Sequence, residues 1–415
     1  MPETSLELQA SKCDYLYQNI PWWHDVDLQI LDELRLEPLT SEQRRQADVV
    51  VIGAGIAGLS AALSARQAGA DVLVLEAAPG LGRGATGRNA GILSAGINMG
   101  LADLDPQGPE ARFWPETTRI LLDLVAEACQ QTSLLKAHLT GAFSLAESAN
   151  AARVLAREVR ARVNLGVRAE IWTARQVAEH TNGRLDTSNV VSAMWLPDEG
   201  RIQPLTLLAH LARSAREAGV RIVGNAPVAA YQEHSYAGGA AGWQISLCDG
   251  IVLNAEALIS AVGPTSQPTA RIYALSFAAD LPDTFPLFWD ALPYTYADYR
   301  AGHGRLTVSG GRYGKVGGSL TEARYYQRLA NNARHWLPEL VHQQPEYQWS
   351  VDLEISADMV PHLRELGENA PGLAIEGLGA LGVLPGILLG QRGGSLLARV
   401  LAQDASSLMW MNKLA

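Results

Sequence analysis

Between Ala47 and Gly55 the chain reads ADVVVIGAG, a β-branched run that carries no charge after Asp48 and closes on glycine. A continuous apolar run of this kind predicts a strand buried on both faces. IAGLSAALSARQAG follows with small and apolar residues at helical spacing, and Gly69 supplies its stop. ADVLVLE then predicts a second apolar strand ending at Glu76. Strand, helix and strand in this order pair in parallel through a right-handed crossover. Upstream, residues 1–46 are polar with aromatic punctuation, YLYQNIPWWHD, which predicts an extension packed over the body or over a neighbouring subunit.

Downstream the periodicity changes several times. From about 110 to 180 it is mainly helical, with amphipathic spacing in TTRILLDLVAEACQQT and AARVLAREVRARVNLG. LTLLAHLARSAREAGVRIVGNAPV predicts a helix, a stop at Gly219 and a strand, and GWQISLCDGIVLNAEALISAVGP predicts strands around a turn at Asp249–Gly250. Residues 285–330 are rich in Tyr, Gly and β-formers and predict an antiparallel sheet. The end, LAIEGLGALGVLPGILLGQRGGSLLARVLA, returns to the opening style of strand, glycine loop and helix. The chain contains no internal repeat.

A length of 415 residues allows two domains or one interleaved pair. A net charge of −10 argues against nucleic acid or an anionic membrane as partner. Cys13, Cys129 and Cys248 form no CxxC pair, and the His residues have no metal-ligand spacing, so no metal site is expected. The first residues lack a basic start followed by an apolar run, and no membrane span is expected, so the expected location is cytoplasmic.

The chemistry begins at Gly53-x-Gly55-x-x-Gly58. The first Gly permits a tight turn, the second lets a pyrophosphate approach the backbone and the third lets the helix pack closely. Ile56 and Ala57 then open a helix whose free N–H groups face the phosphates, and Glu76 with Ala77 stands where ribose hydroxyls would be held. The pattern alone does not separate NAD from FAD. The next loop, GRGATGRNAGIL, is half glycine and alanine yet keeps Arg88 and Asn89.

This loop resembles its counterpart in the FAD-dependent amine and amino-acid oxidases of the glycine oxidase, sarcosine oxidase and D-amino-acid oxidase type, closest to γ-glutamylputrescine oxidase-like proteins. The resemblance runs from about 48 to 405 and includes EGLGALGVLPGILLGQ, GNAPV, ALISAVGP and WSVDLEISADMVP. It implies an α/β fold, α+β overall, with a Rossmann-type FAD-binding domain interleaved with an antiparallel-sheet substrate domain. The expected division is an N-terminal extension at 1–47, FAD-binding segments at 48–110, 196–268 and 351–415, and substrate-domain segments at 111–195 and 269–350.

The resemblance also implies the ligand contacts. Gly84, Ala85 and Gly87 leave room beside the dinucleotide, Thr86, Arg88 and Asn89 donate to it, and Ala90, Gly91 and Ile92 continue the same wall. Val228 belongs to the adenine strand, and Ala261 and Gly263 approach the pyrophosphate. Gly377, Gly379, Ala380, Leu381, Gly382 and Val383 gather N–H groups at a helix N-terminus beside the flavin ring, where the family often has His in place of Ala380. The family's usual covalent attachment points carry neither Cys nor His, so FAD is expected to be non-covalent.

The arginines with which the α-amino-acid oxidases hold a substrate carboxylate are replaced by Asp352, Leu353 and Glu354 after the Trp-led segment, and by Ala380 in the glycine loop. The substrate implied is therefore an amine, γ-glutamylated or otherwise bearing its carboxylate far from the reacting carbon. Its C–N bond would be oxidised by hydride transfer to flavin N5, with hydrolysis of the imine. Tyr296, Arg300, Arg312, Lys315 and Glu354 are the catalytic candidates; Arg305 could also bind a distal carboxylate, and Tyr294 and Tyr299 could wall the substrate. O2 or a redox partner would take the electrons, and a homo-oligomer is open. A dehydrogenase subunit and a non-catalytic FAD-binding subunit remain alternatives.

Overall fold

The computed structural model describes residues 19–40, 46–236, 241–263, 268–290, 297–313 and 319–402, with backbone alone at 312, 313 and 319–321. Among them, two eight-stranded sheets dominate. In the first, Gln46–Ile52 lies between Val72–Leu75 and Val252–Ser260, parallel to both, and Arg221–Val223 extends the parallel set beyond Val72–Leu75. Gly372–Glu376 joins Val252–Ser260 in parallel, whereas Val228–Ser235 and Ala241–Leu247 add an antiparallel edge. Val49, Val50 and Val51 are wholly enclosed, as an uncharged β-branched strand between parallel neighbours requires.

Two helices seal one face of this sheet. Ile56–Gln67 and Val383–Ala402 press together along small residues: a Cβ on Gly390 would stand 2.4 Å from the Ala57 carbonyl oxygen, and one on Gly394 2.0 Å from that of Ala61. The opening and closing segments of the chain thereby share one core, which brings the two glycine loops to the same end of the sheet.

The second sheet runs, in spatial order, through Tyr347–Leu353, Ala270–Ala278, Arg305–Tyr313, Asp298–Gly302, Leu287–Asp290, Ala142–Ala146, Ser192–Leu196 and Glu170–Trp172. It is antiparallel except where Leu287–Asp290 meets Ala142–Ala146. The expected antiparallel sheet over 285–330 stops at Tyr313; Ser319–Trp336 is a helix. Its apolar positions Leu329, Ala330, Ala333 and Trp336 recur at helical spacing and are buried, a period that the Tyr and Gly content of the preceding stretch obscures.

Residues 19–40 of the N-terminal segment pack on the body of the same chain. Glu33, in the helix Leu28–Glu33, pairs with Arg213 and Arg216 of the helix Pro204–Glu217 at 2.7 and 3.1 Å. Among the described residues no helix is long and apolar enough to cross a membrane.

Candidate functional site

A cavity of about 1000 Å³ runs along the carboxyl ends of the parallel strands and under the second sheet. Its floor is the turn from Gln46–Ile52 into Ile56–Gln67. Gly53 takes φ +95°, and a Cβ there would stand 2.7 Å from the Ala261 carbonyl oxygen, so only glycine permits this turn. Ile56 and Ala57 present the helix N-terminus to the cavity. Glu76 lies beside them; its two carboxylate oxygens accept from Ala54 N at 3.0 Å and Ala78 N at 3.1 Å, which fixes it at the end of its strand.

The loop from Gly82 to Ile92 forms the adjoining wall. Thr86 Oγ1 accepts from Ile56 N at 3.2 Å, tying the loop to the helix start and leaving its hydroxyl hydrogen free to donate. Gly84, Ala85, Arg88, Ala90 and Ile92 line the cavity, and Arg88 Nε is buried there without a partner. Asn89 also lines it, but its amide braces the loop: Nδ2 donates to Thr86 O at 2.6 Å and Oδ1 accepts from Gly91 N at 2.8 Å. Three tryptophans that the sequence reading did not assign hold this loop from behind. Trp22 Nε1 and Trp23 Nε1 donate to Gly87 O at 2.8 and 3.2 Å, and Trp349 Nε1 donates to Arg88 O at 2.8 Å.

Three glycines are held by close backbone packing, as expected for Gly58 but not for Gly87 and Gly91. A Cβ on Gly58 would meet Gly53 O at 1.9 Å, one on Gly87 would meet Gly82 O at 2.0 Å and one on Gly91 would meet Ile202 O at 2.2 Å; none of the three lines the cavity. Val228, Ala261, Gly263 and Ala77 do line it.

At the other end Gly377, Gly379, Ala380, Leu381, Gly382 and Val383 form the wall. Several N–H groups expected to face a ligand are already used: Ala380 N and Leu381 N donate to Asn98 Oδ1 at 3.0 and 3.1 Å, and Gly379 N donates to Glu354 O at 3.1 Å. The donors that find no partner within the helix are those of Gly382, Val383 and Leu384, at the start of Val383–Ala402.

These features fit a dinucleotide. The floor offers a helix N-terminus to phosphates, a carboxylate stands at the ribose position, and the cavity is large enough for a cofactor. Orphaned Arg88 Nε leaves a cationic donor in the wall beside the phosphate position.

The second sheet closes the cavity above the C-terminal glycine loop. Arg271 faces it from Ala270–Ala278, directly opposite Asp352 in the neighbouring strand. Its Nε and Nη2 donate to the two Asp352 oxygens at 2.5 and 2.8 Å, and Nη1 to Glu322 Oε1 at 2.5 Å. The Asp352 hydrogen bond and pairing with both carboxylates raise the Arg271 pKa, so its charge is permanent, but two carboxylates already offset it and take three of its five N–H donors. Glu354, two residues beyond Asp352, lines the same wall and its carboxylate makes no hydrogen bond or ion pair among the described residues.

The remaining candidates lie elsewhere. Arg300 is buried away from the cavity, donating to Ile202 O at 3.1 Å, and burial beside Arg201 lowers its pKa to about 9. Arg305 lies between Asp25 and Glu346 at 3.6 and 3.7 Å. Tyr299 is core: it stacks on Phe288 with centroids 4.3 Å apart, and burial raises its pKa far above the ordinary value. Tyr294, Tyr296 and Lys315 lie outside the described residues, as does the side chain of Arg312.

Comparison with known proteins supplies the wider setting. The family model described as FAD dependent oxidoreductase, DAO, matches residues 48–393. A probable oxidoreductase, OrdL, of Haemophilus influenzae is 29% identical over 201 residues, 47% of this chain and 45% of its own length. The gamma-glutamylputrescine oxidoreductase of Escherichia coli is 42% identical over 80 residues, 19% of this chain and 17% of its own. The chain thus spans less than half the length of either curated relative. A glycine oxidase structure from Geobacillus kaustophilus superposes with a TM-score of 0.71 at 19% identity, covering 85% of this chain and 95% of that one.

Proposed function

The chain belongs to the DAO family of FAD dependent oxidoreductases, and from that premise we propose that it oxidises the C–N bond of an amine carrying no carboxylate on the reacting carbon. Bound FAD supplies the two-electron acceptor that takes a hydride from that carbon. The observation that carries the substrate reading is Arg271, the arginine facing the cavity beside the C-terminal glycine loop, whose three nitrogens are filled by Asp352 and Glu322. A guanidinium already paired with two carboxylates has little attraction left for a third, an α-carboxylate of a substrate. Here that wall instead presents Asp352 and Glu354, which suit a cationic amine; Glu354 also lies within electrostatic reach of Arg364.

The residues divide the work. Glu354 accepts a hydrogen bond from the substrate ammonium and positions it; the neutral amine whose C–H bond can be broken forms by loss of that proton to water. Gly53, Gly55, Ile56, Ala57, Glu76, Thr86 and Arg88 line the cavity and would hold the dinucleotide non-covalently. The N–H groups of Gly382, Val383 and Leu384 at the start of Val383–Ala402 are placed to support negative charge developing at the ring. The imine is then hydrolysed to a carbonyl compound and ammonia, or to a smaller amine from a secondary amine.

The test is an anaerobic absorbance titration of the holoprotein with primary amines and with the corresponding α-amino acids. Bleaching of the flavin band by the amines at lower concentration supports the reading; preference for the α-amino acids sinks it. Rapid recovery in air identifies an oxidase, and slow recovery a dehydrogenase that passes electrons to a protein partner.

A further inference from the structure

The cavity continues past the glycine loops. Beyond Asn98 its wall is the helix Ala149–Asn164, which contributes Arg157, Glu158 and Arg162. Arg157 is half exposed and paired with Asp103 at 3.2 Å. Arg162 is different. Only 9% of its side chain is exposed, yet its single hydrogen bond runs from Nε to Glu158 Oε1 at 2.9 Å. Nη1 stands 3.6 Å from Glu199 Oε1, too far for a hydrogen bond, and is buried without an acceptor.

The neighbouring carboxylates cannot turn to serve that nitrogen. Glu158 Oε1 also accepts from Leu101 N at 3.2 Å and its Oε2 from Ala102 N at 2.9 Å. Both Glu199 oxygens are directed at Ala95 N, at 3.0 and 3.3 Å. A buried guanidinium nitrogen without an acceptor is costly even with the Trp114 ring 6.0 Å from its Cζ, and an acceptor that enters from the cavity relieves that cost.

The same strip of chain measures the distance. Asn98 holds the C-terminal glycine loop, donating from Nδ2 to Leu378 O at 3.2 Å and accepting from Ala380 N and Leu381 N. Three residues later Leu101 is held by Glu158, the partner of Arg162. Residues 98 and 99 form a bend, so these three residues span at most roughly 10 Å. Arg162 thus lines the cavity from the helix Ala149–Asn164, on a different wall from Asp352 and Glu354.

We propose that Arg162 is a specificity-determining residue that receives, through Nη1 and Nη2, a carboxylate carried by the substrate at the end remote from the oxidised amine. The inference rests on the amine-oxidation reading above for the identity of that substrate, but the anion site itself does not. The ligand class is an ω-carboxylated amine, with ammonium at Glu354 and carboxylate at Arg162, and Glu354 and Arg162 divide its two charges between the two ends of the cavity.

The experiment compares 6-aminohexanoate and 8-aminooctanoate with n-hexylamine and n-octylamine as anaerobic reductants of the holoprotein, and measures hexanoate binding by calorimetry. In the wild type the carboxylated amine of either pair should saturate reduction at about 10- to 100-fold lower concentration, as expected of a charge-assisted hydrogen-bonded pair. Arg162→Gln should bring that ratio to near one and abolish hexanoate binding, and Arg162→Lys should recover part of both. A wild type with no preference for the carboxylated amine overturns the proposal, whatever the variants do. A preference that survives in FAD-loaded R162Q also overturns it. If no amine bleaches the flavin but hexanoate binds in an Arg162-dependent manner, the anion site stands and the amine-oxidation reading fails.

Discussion

Glu199 is 2% exposed, and burial pushes its carboxyl up to about 7, against the pull of Arg162 and of the Ala95 N–H. The folded protein therefore holds a proton that the unfolded chain releases near 4.5, and stability falls as the pH rises through that window. Integrated between about pH 5 and pH 8, the loss is about 2–3 kcal/mol. Glu199→Gln removes it, because the amide carbonyl can still accept from Ala95 N but cannot ionise. Urea unfolding of the two FAD-loaded proteins, followed by circular dichroism at both pH values, isolates the effect. Asp290, pushed up to about 6 by burial, adds a slope of the same sign, but it is common to both proteins and cancels in the difference. The wild type should lose about 2–3 kcal/mol more than the variant on going to the higher pH. A difference that stays constant to within about 0.5 kcal/mol would refute the reasoning.

Three other perturbations test separate parts of the account. Trp22→Phe keeps the ring that packs edge-on against Trp349 but deletes the 2.8 Å donor to Gly87 O, leaving the 3.2 Å bond from Trp23; loss of about 1 kcal/mol should weaken FAD binding about fivefold in a titration of the apoprotein. Gly394→Ala places a methyl 2.0 Å from Ala61 O between the two central helices, so chemical denaturation should show a loss of about 1–3 kcal/mol, and an unchanged midpoint would contradict the packing described. Asp352→Ala releases Nε and Nη2 of Arg271, so the concentration of α-amino acid needed for half-maximal flavin bleaching should fall about tenfold; no change would mean that Arg271 does not face the reacting carbon.

Much of the dinucleotide half is legible in the sequence because its rules are local. The turn at Gly53, the helix after it and the acid at Glu76 follow from contiguous residues, and the strand, loop and helix at the C-terminus repeat the pattern. Gly87 and Gly91 show the limit: glycine marks a close approach, but whether ligand or backbone makes that approach depends on other residues, Ile202 among them. The polar wall was less legible. Arg271 meets Asp352 across a sheet register 81 residues apart, and Arg162 reaches the cavity from a helix whose sequence reads as an ordinary amphipathic one. Trp22 and Trp23 lie 65 and 64 residues from the carbonyl they hold, a relation that no periodicity records.

The central claim is that this cavity oxidises a C–N bond at a carbon without a carboxylate. A single-turnover experiment addresses it most directly: FAD-loaded protein is mixed anaerobically with an ω-carboxylated primary amine, and flavin reduction and the carbonyl product are quantified together. The account predicts one carbonyl product and one ammonia per flavin reduced. Reduction with no carbonyl product, or a flavin that stays oxidised with amines but is bleached by free α-amino acids, would contradict it.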